Sequence, residues 1–148
     1  MKIESDVCEH CGQTLNYFLA IDLGTCDIVK KIAEFIGKKG INAVHPRKEM
    51  EGLMLTSNQV GNLSRARFHG LIAKIKENPG NYCLTRKGSQ FLRGMPIPKT
   101  AIISKKDKKQ VGYLEEEKVT IFEFIKNTEY WNGINYEILE GNVIHRFD

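Results

Sequence analysis

No apolar run in this sequence approaches the roughly 20 residues that a membrane-spanning helix needs. Its first residues, MKIESDVCEHC, lack the apolar stretch of a secretory leader. The expected compartment is therefore the cytoplasm, with no membrane partner. Catalytic signatures are missing as well. There is no phosphate-cradling glycine loop and no Gly-x-Ser-x-Gly elbow. His10, His45, His69 and His145 do not group with Asp, Ser or Cys at a catalytic spacing. The chain reads as a non-enzyme. No internal repeat or low-complexity segment is found, which excludes solenoids and arrays. Cysteine is scarce, with four residues. In a reducing compartment these are expected as thiols or metal ligands rather than disulfides.

What is present suits a soluble domain. Hydrophobic residues make up 41% of 148 and charged residues 27%, enough for one substantial core with a small appendage. The net charge of +4 hides an asymmetry. Residues 1–110 hold 19 Lys/Arg against 10 Asp/Glu, whereas residues 111–148 hold 3 against 8. A basic body with an acidic C-terminal part suits contact with a polyanion from one side.

Periodicity predicts the elements. Leu15 to Leu23 fits a strand, with Tyr17, Leu19, Ile21 and Leu23 on one face. Thr25 is expected to cap a helix near 26–38. Its apolar stripe is Ile28, Val29, Ile32, Ala33, Phe35 and Ile36, and Lys30, Lys31, Glu34 and Lys38 take the wet side. Arg47 to Leu55 fits a short helix. Thr56 and Gln59 form a capping box that opens a helix over 57–69, ended by Gly70. Strands are expected at 71–76 and 81–84 around the turn Asn78-Pro79-Gly80-Asn81. Thr85 caps a helix over 85–94. Beyond Gly94, Ala101–Ser104 and Val111–Leu114 can pair across the Lys105–Lys109 loop. Thr120 and Glu123 form a second capping box. Tyr130, Trp131, Tyr136, Ile138 and Leu139 are too apolar for a disordered tail and are expected to pack on the domain or on a second subunit.

The run Phe68-His69-Gly70-Leu71-Ile72, followed by Tyr82-Cys83-Leu84-Thr85-Arg86-Lys87-Gly88, resembles winged-helix transcription regulators of the MarR, PadR and ArsR type. The resemblance covers about forty residues directly, and about seventy with the helix at 25–40. The expected class is α+β, mainly helical: a winged helix-turn-helix over 25–95, an N-terminal CxxC turn and strand over 1–24, and a small hairpin-and-helix extension over 96–148. The resemblance implies a transcriptional regulator or DNA-associated factor of a prokaryote or its virus, bound to double-stranded DNA and compatible with a homodimer. The alternative is a small viral or mobile-element interaction module that inhibits a host machine. There the winged helix is only a scaffold, and the acidic, aromatic C-terminal extension grips a protein partner.

Ser57, Asn58, Asn62 and Arg65 open or line the polar face of the 57–69 helix. Asn pairs with adenine and Arg with guanine through two hydrogen bonds each. Lys74, Lys76, Asn81, Arg86 and Lys87 surround the hairpin and suit phosphate contacts. Arg67 falls on the apolar side and is expected to pair with a carboxylate or a carbonyl. Cys8-Glu9-His10-Cys11-Gly12 has the form of a zinc-knuckle turn, in which two thiolates share one tetrahedral ion. Cys8 and Cys11 are the expected zinc ligands, and Cys26, Cys83, His10 and His45 are the candidates for the rest. A reduced, metal-free turn is the other reading.

Overall fold

The chain is described by a computed structural model over residues 16–75 and 77–125. The first long helix begins at a carboxylate. Asp22 is its N-cap, and its Oδ1 accepts the Thr25 N–H at 2.8 Å. Helix α1 therefore spans Leu23–Lys39 and starts earlier than a Thr25 cap predicts. It ends at Gly40, which adopts the left-handed conformation (φ 63) that glycine tolerates. Ile28, Val29, Ile32, Ala33 and Ile36 are all at most 1% exposed. Each of the larger aliphatic side chains contributes about 1.5–3 kcal/mol by leaving water. The helix is enclosed on more sides than its stripe predicts. Lys30, assigned to the wet face, is buried beside Asp27 at 3.4 Å.

Short helices α2 (Met50–Leu53), α3 (Ser57–Gly61) and α4 (Leu63–Phe68) follow. The Thr56–Gln59 capping box forms as its residues dictate, with bonds of 3.1 and 3.0 Å. The helix expected over 57–69 is broken at Asn62, whose backbone leaves helical geometry (φ −105, ψ 15). Strands β1 (Asn16–Ala20), β2 (Ile72–Lys74) and β3 (Tyr82–Leu84) are antiparallel elements of two sheets, β2 pairing with β3. Val44 bridges to Tyr82, which docks the segment before α2 onto the hairpin. Helix α5 (Arg86–Leu92) is capped by the Thr85 hydroxyl.

The expectation of a mainly helical chain with a small C-terminal hairpin is corrected here. The described chain is about 39% helix and 28% strand. Much of the difference lies in β4 (Ile97–Ser104) and β5 (Lys109–Val119), which form a long hairpin joined by β1 in the order β1-β4-β5. Pro98 lies inside β4. It pairs with Lys118 of β5 but lies outside the 100–104 stretch that pairs with β1, next to a register shift between Pro98 and Thr100, the kind of irregular edge where proline is tolerated in a sheet. A 3₁₀ turn over Ile121–Glu123 closes the described chain with the Thr120–Glu123 capping box.

The main core joins α1 to Leu53, Leu55, Val60, Leu63, Leu71, Leu84 and Phe91, and extends to Ile97, Val119 and Ile121. The three-stranded sheet packs Leu19, Ala101 and Ile103 on Phe68 at the end of α4, with Tyr113 beside them. The expected CxxC turn and the aromatic tail from Tyr130 lie outside the described residues.

Candidate nucleic-acid interface

The polar side chains of α3 and α4 stand between two clefts. Ser57 and Asn58 are exposed, and Asn62 and Arg65 are half-buried. One cleft of about 260 Å³ is lined by Asn58, Gln59, Asn62 and Arg65 on one side and by Asp22, Gly24 and Thr25 of α1 on the other. Sequence spacing placed Asn58, Asn62 and Arg65 on one face, and the structure brings all three to this cleft. It adds Asp22, which spacing could not reveal. The Arg65 Nη2 donates to Asp22 Oδ2 at 3.3 Å across 43 residues of chain. Burial raises the Asp22 carboxyl, but the Thr25 hydrogen bonds and the Arg65 and His69 side chains outweigh it and hold it below the usual aspartate value.

Behind this face, α1 holds the helices in place. The Gln59 Nε2 donates to Asp27 Oδ2 at 2.7 Å, and Lys31 pairs with the same oxygen at 2.9 Å. Lys31 also donates to the Met54 carbonyl at 2.8 Å. Asp27 thus ties α3 to α1, and these contacts hold its carboxyl low against the opposing effect of burial.

The second cleft, of about 160 Å³, separates α3–α4 from the hairpin turn. Its lining includes Arg47, Gly61, Ser64, Gly80 and Tyr82. Arg47 and Ser64 were not singled out by sequence reasoning. The backbone bonds of 2.9 and 2.8 Å between Val44 and Tyr82 bring Arg47 there, and no local pattern announces such a long-range bridge. Burial pushes the Tyr82 hydroxyl up, while the nearby Arg67 and Arg47 cations oppose it. Gly80 has φ 88, and a Cβ there would lie 2.3 Å from the His45 Nε2, so the turn accepts only glycine without rearrangement.

The hairpin residues separate. Lys74 is exposed opposite Tyr82. Lys76 lies outside the described residues. Asn81 donates to the Asn78 carbonyl at 3.3 Å and so closes the turn. Arg86 is exposed at the start of α5. Lys87 is turned away, its ammonium 4.0 Å above the Tyr113 ring of the other sheet. Burial pulls that ammonium below the ordinary lysine value, with Glu115 opposing. Arg67 stacks over Phe68 at 4.7 Å, where a carboxylate or carbonyl partner was expected. Lys105, Lys106, Lys108 and Lys109 form the exposed tip of the β4–β5 hairpin.

Cys8, Cys11 and His10 lie outside the described residues. Among the described residues, no group of three or more His, Cys, Asp or Glu side chains is placed to hold a metal. Cys26 and Cys83 are thiols outside any disulfide, and both are fully buried. Burial, reinforced by Asp22, pushes the Cys26 thiol up to about 12, so it behaves as a core group rather than a ready thiolate ligand. No described helix is long and apolar enough to cross a membrane. In comparisons with family models, curated proteins and solved structures, nothing matches this chain.

Proposed function

We propose that this chain binds double-stranded DNA, as a winged-helix-type transcriptional regulator or DNA-associated factor, by presenting α3–α4 to the major groove and the β2–β3 hairpin to the flanking backbone. One observation carries the reading. The capped α3–α4 segment keeps Ser57, Asn58 and Gly61 exposed, and the hairpin with Lys74 and the Arg47 cleft adjoin it. Base-reading and phosphate-neutralising side chains then occupy adjoining positions, as groove recognition requires.

The test is the affinity for random-sequence duplex DNA as a function of salt. Binding through phosphates gives a slope of log affinity on log salt of about −0.9 per neutralised phosphate. Lys74→Ala and Arg47→Ala should weaken binding to all sequences alike and flatten that slope by about one. Arg65→Ala should cost about 1–3 kcal/mol on a preferred duplex and relax selection at one base pair. Variants that stay folded and leave duplex affinity at the wild-type value would refute the proposal.

A further inference from the structure

Asp22 is an unexpected neighbour for a DNA-reading face. A carboxylate at such a surface repels phosphate, and an exposed ion pair contributes little to stability. Its geometry nevertheless makes it a rigid fixture. Oδ1 is committed to the Thr25 N–H at 2.8 Å, which ties the carboxylate to the start of a 17-residue helix. Oδ2 is left to receive the Arg65 Nη2 at 3.3 Å. The two side chains are 52% and 37% exposed, so the pair stands at the surface of its cleft, within reach of a ligand.

We propose that Asp22 is a specificity-determining positioning residue: it orients the Arg65 guanidinium so that its remaining Nη hydrogens meet the two adjacent acceptors of a guanine edge. This rests on the duplex-DNA reading above. An arginine has five donors in a fixed planar fork, and a carboxylate holding one of them fixes the plane of the others. Without that partner the long side chain samples many rotamers and meets phosphate as readily as a base. Asp22 therefore exchanges general affinity for discrimination, because the charge that aims Arg65 at a base also disfavours the backbone. Asn58 and Asn62 line the same cleft without charge and do not share this role.

The experiment selects bound duplexes from a randomised library with the full chain, and measures affinity for a fixed random-sequence duplex beside it. Asp22→Ser is the central variant, because serine still caps the helix. Wild type should enrich a motif containing a guanine. Asp22→Ser should lose preference at that one position by about fivefold or more, yet bind the random duplex about two- to fivefold tighter. Arg65→Lys keeps the charge and should lose the same preference, and the Asp22→Ser/Arg65→Lys pair should lose no more preference than Arg65→Lys alone. A purely structural role would lower the thermal midpoint and both affinities together. Unchanged guanine enrichment in a folded Asp22→Ser variant overturns the positioning role while the DNA reading stands. Failure of wild type to bind any duplex at low salt overturns both.

Discussion

Lowering the pH should destabilise this protein through His69. His69 is the C-cap residue of α4, its ring is wholly buried, and neither ring nitrogen makes a hydrogen bond of good geometry among the described residues. Burial, then the Lys87 and Arg65 cations, push its pKa down to about 4, with Asp22 and the Leu19 backbone opposing. The folded state therefore holds the neutral ring, while the unfolded chain takes up a proton below about 6.5. The stability is fully present above that value, declines as pH falls from 6.5 toward 4, and levels off below. At 1.36 kcal/mol per pH unit the full effect is about 3 kcal/mol, most of which falls between pH 7.5 and 4.5. That is a large share of a typical domain stability of about 5–15 kcal/mol. Urea unfolding of wild type and His69→Leu at both pH values gives the double difference. Glu34, raised by burial, and Asp27, held low, titrate in both proteins and largely cancel, whereas Asp22 interacts with His69, so the same comparison is repeated in an Asp22→Ser background. At pH 7.5 the leucine variant should be neutral or somewhat more stable, because it removes unpartnered buried polar atoms. Profiles that run parallel within about 0.5 kcal/mol would show that the His69 site is open to water or finds a partner, and would refute the reasoning.

Other substitutions test separate parts of the structure. Gly88→Ala would place a Cβ 2.1 Å from the Leu71 carbonyl oxygen and 2.8 Å from Leu84 Cδ1. It should cost about 3 kcal/mol or more, and a thermal midpoint like that of wild type would contradict the packing of α5 on the hairpin. Lys87→Ala should lower stability by about 1 kcal/mol through loss of its contact with Tyr113, and leave duplex affinity of the folded protein unchanged. A flatter salt slope for this variant would return Lys87 to the phosphate track. For the CxxC turn, protein purified without chelator should carry zinc near one per chain, or one per two chains if the site is shared. Cys8→Ser should release it and lower the midpoint. Metal-free wild type together with an unshifted Cys8→Ser melt would retire zinc.

Local signals were legible wherever a side chain acts on its own backbone. Thr56 with Gln59, Thr85, and Gly70 mark boundaries within a few residues, because a cap or a left-handed glycine needs no distant partner. Asp22 shows the limit of that kind of reading. Thr25 offered an equally good cap, and three residues decide whether the strand before it ends at Leu23 or at Ala20. Periodicity found the apolar stripe of α1 but put Lys30 on the wet side, since a stripe cannot tell how many elements surround a helix. The long β4–β5 hairpin was underestimated for a related reason. Its residues alternate only partly, with Pro98 inside and Gly112 opposite Ile102, and its pairing with β1 spans some 80 residues of chain. The interface divides along the same line. The shared face of Asn58, Asn62 and Arg65 follows from helical spacing alone. What that face meets is set by tertiary contact: the Asp22 carboxylate across the cleft, Arg47 carried in by the Val44–Tyr82 bridge, and Lys87 drawn away by Tyr113. A cation near a turn in sequence stays open to a ligand only if no aromatic face or carboxylate claims it first, and in this chain Tyr113 claims Lys87 while Lys74 remains exposed.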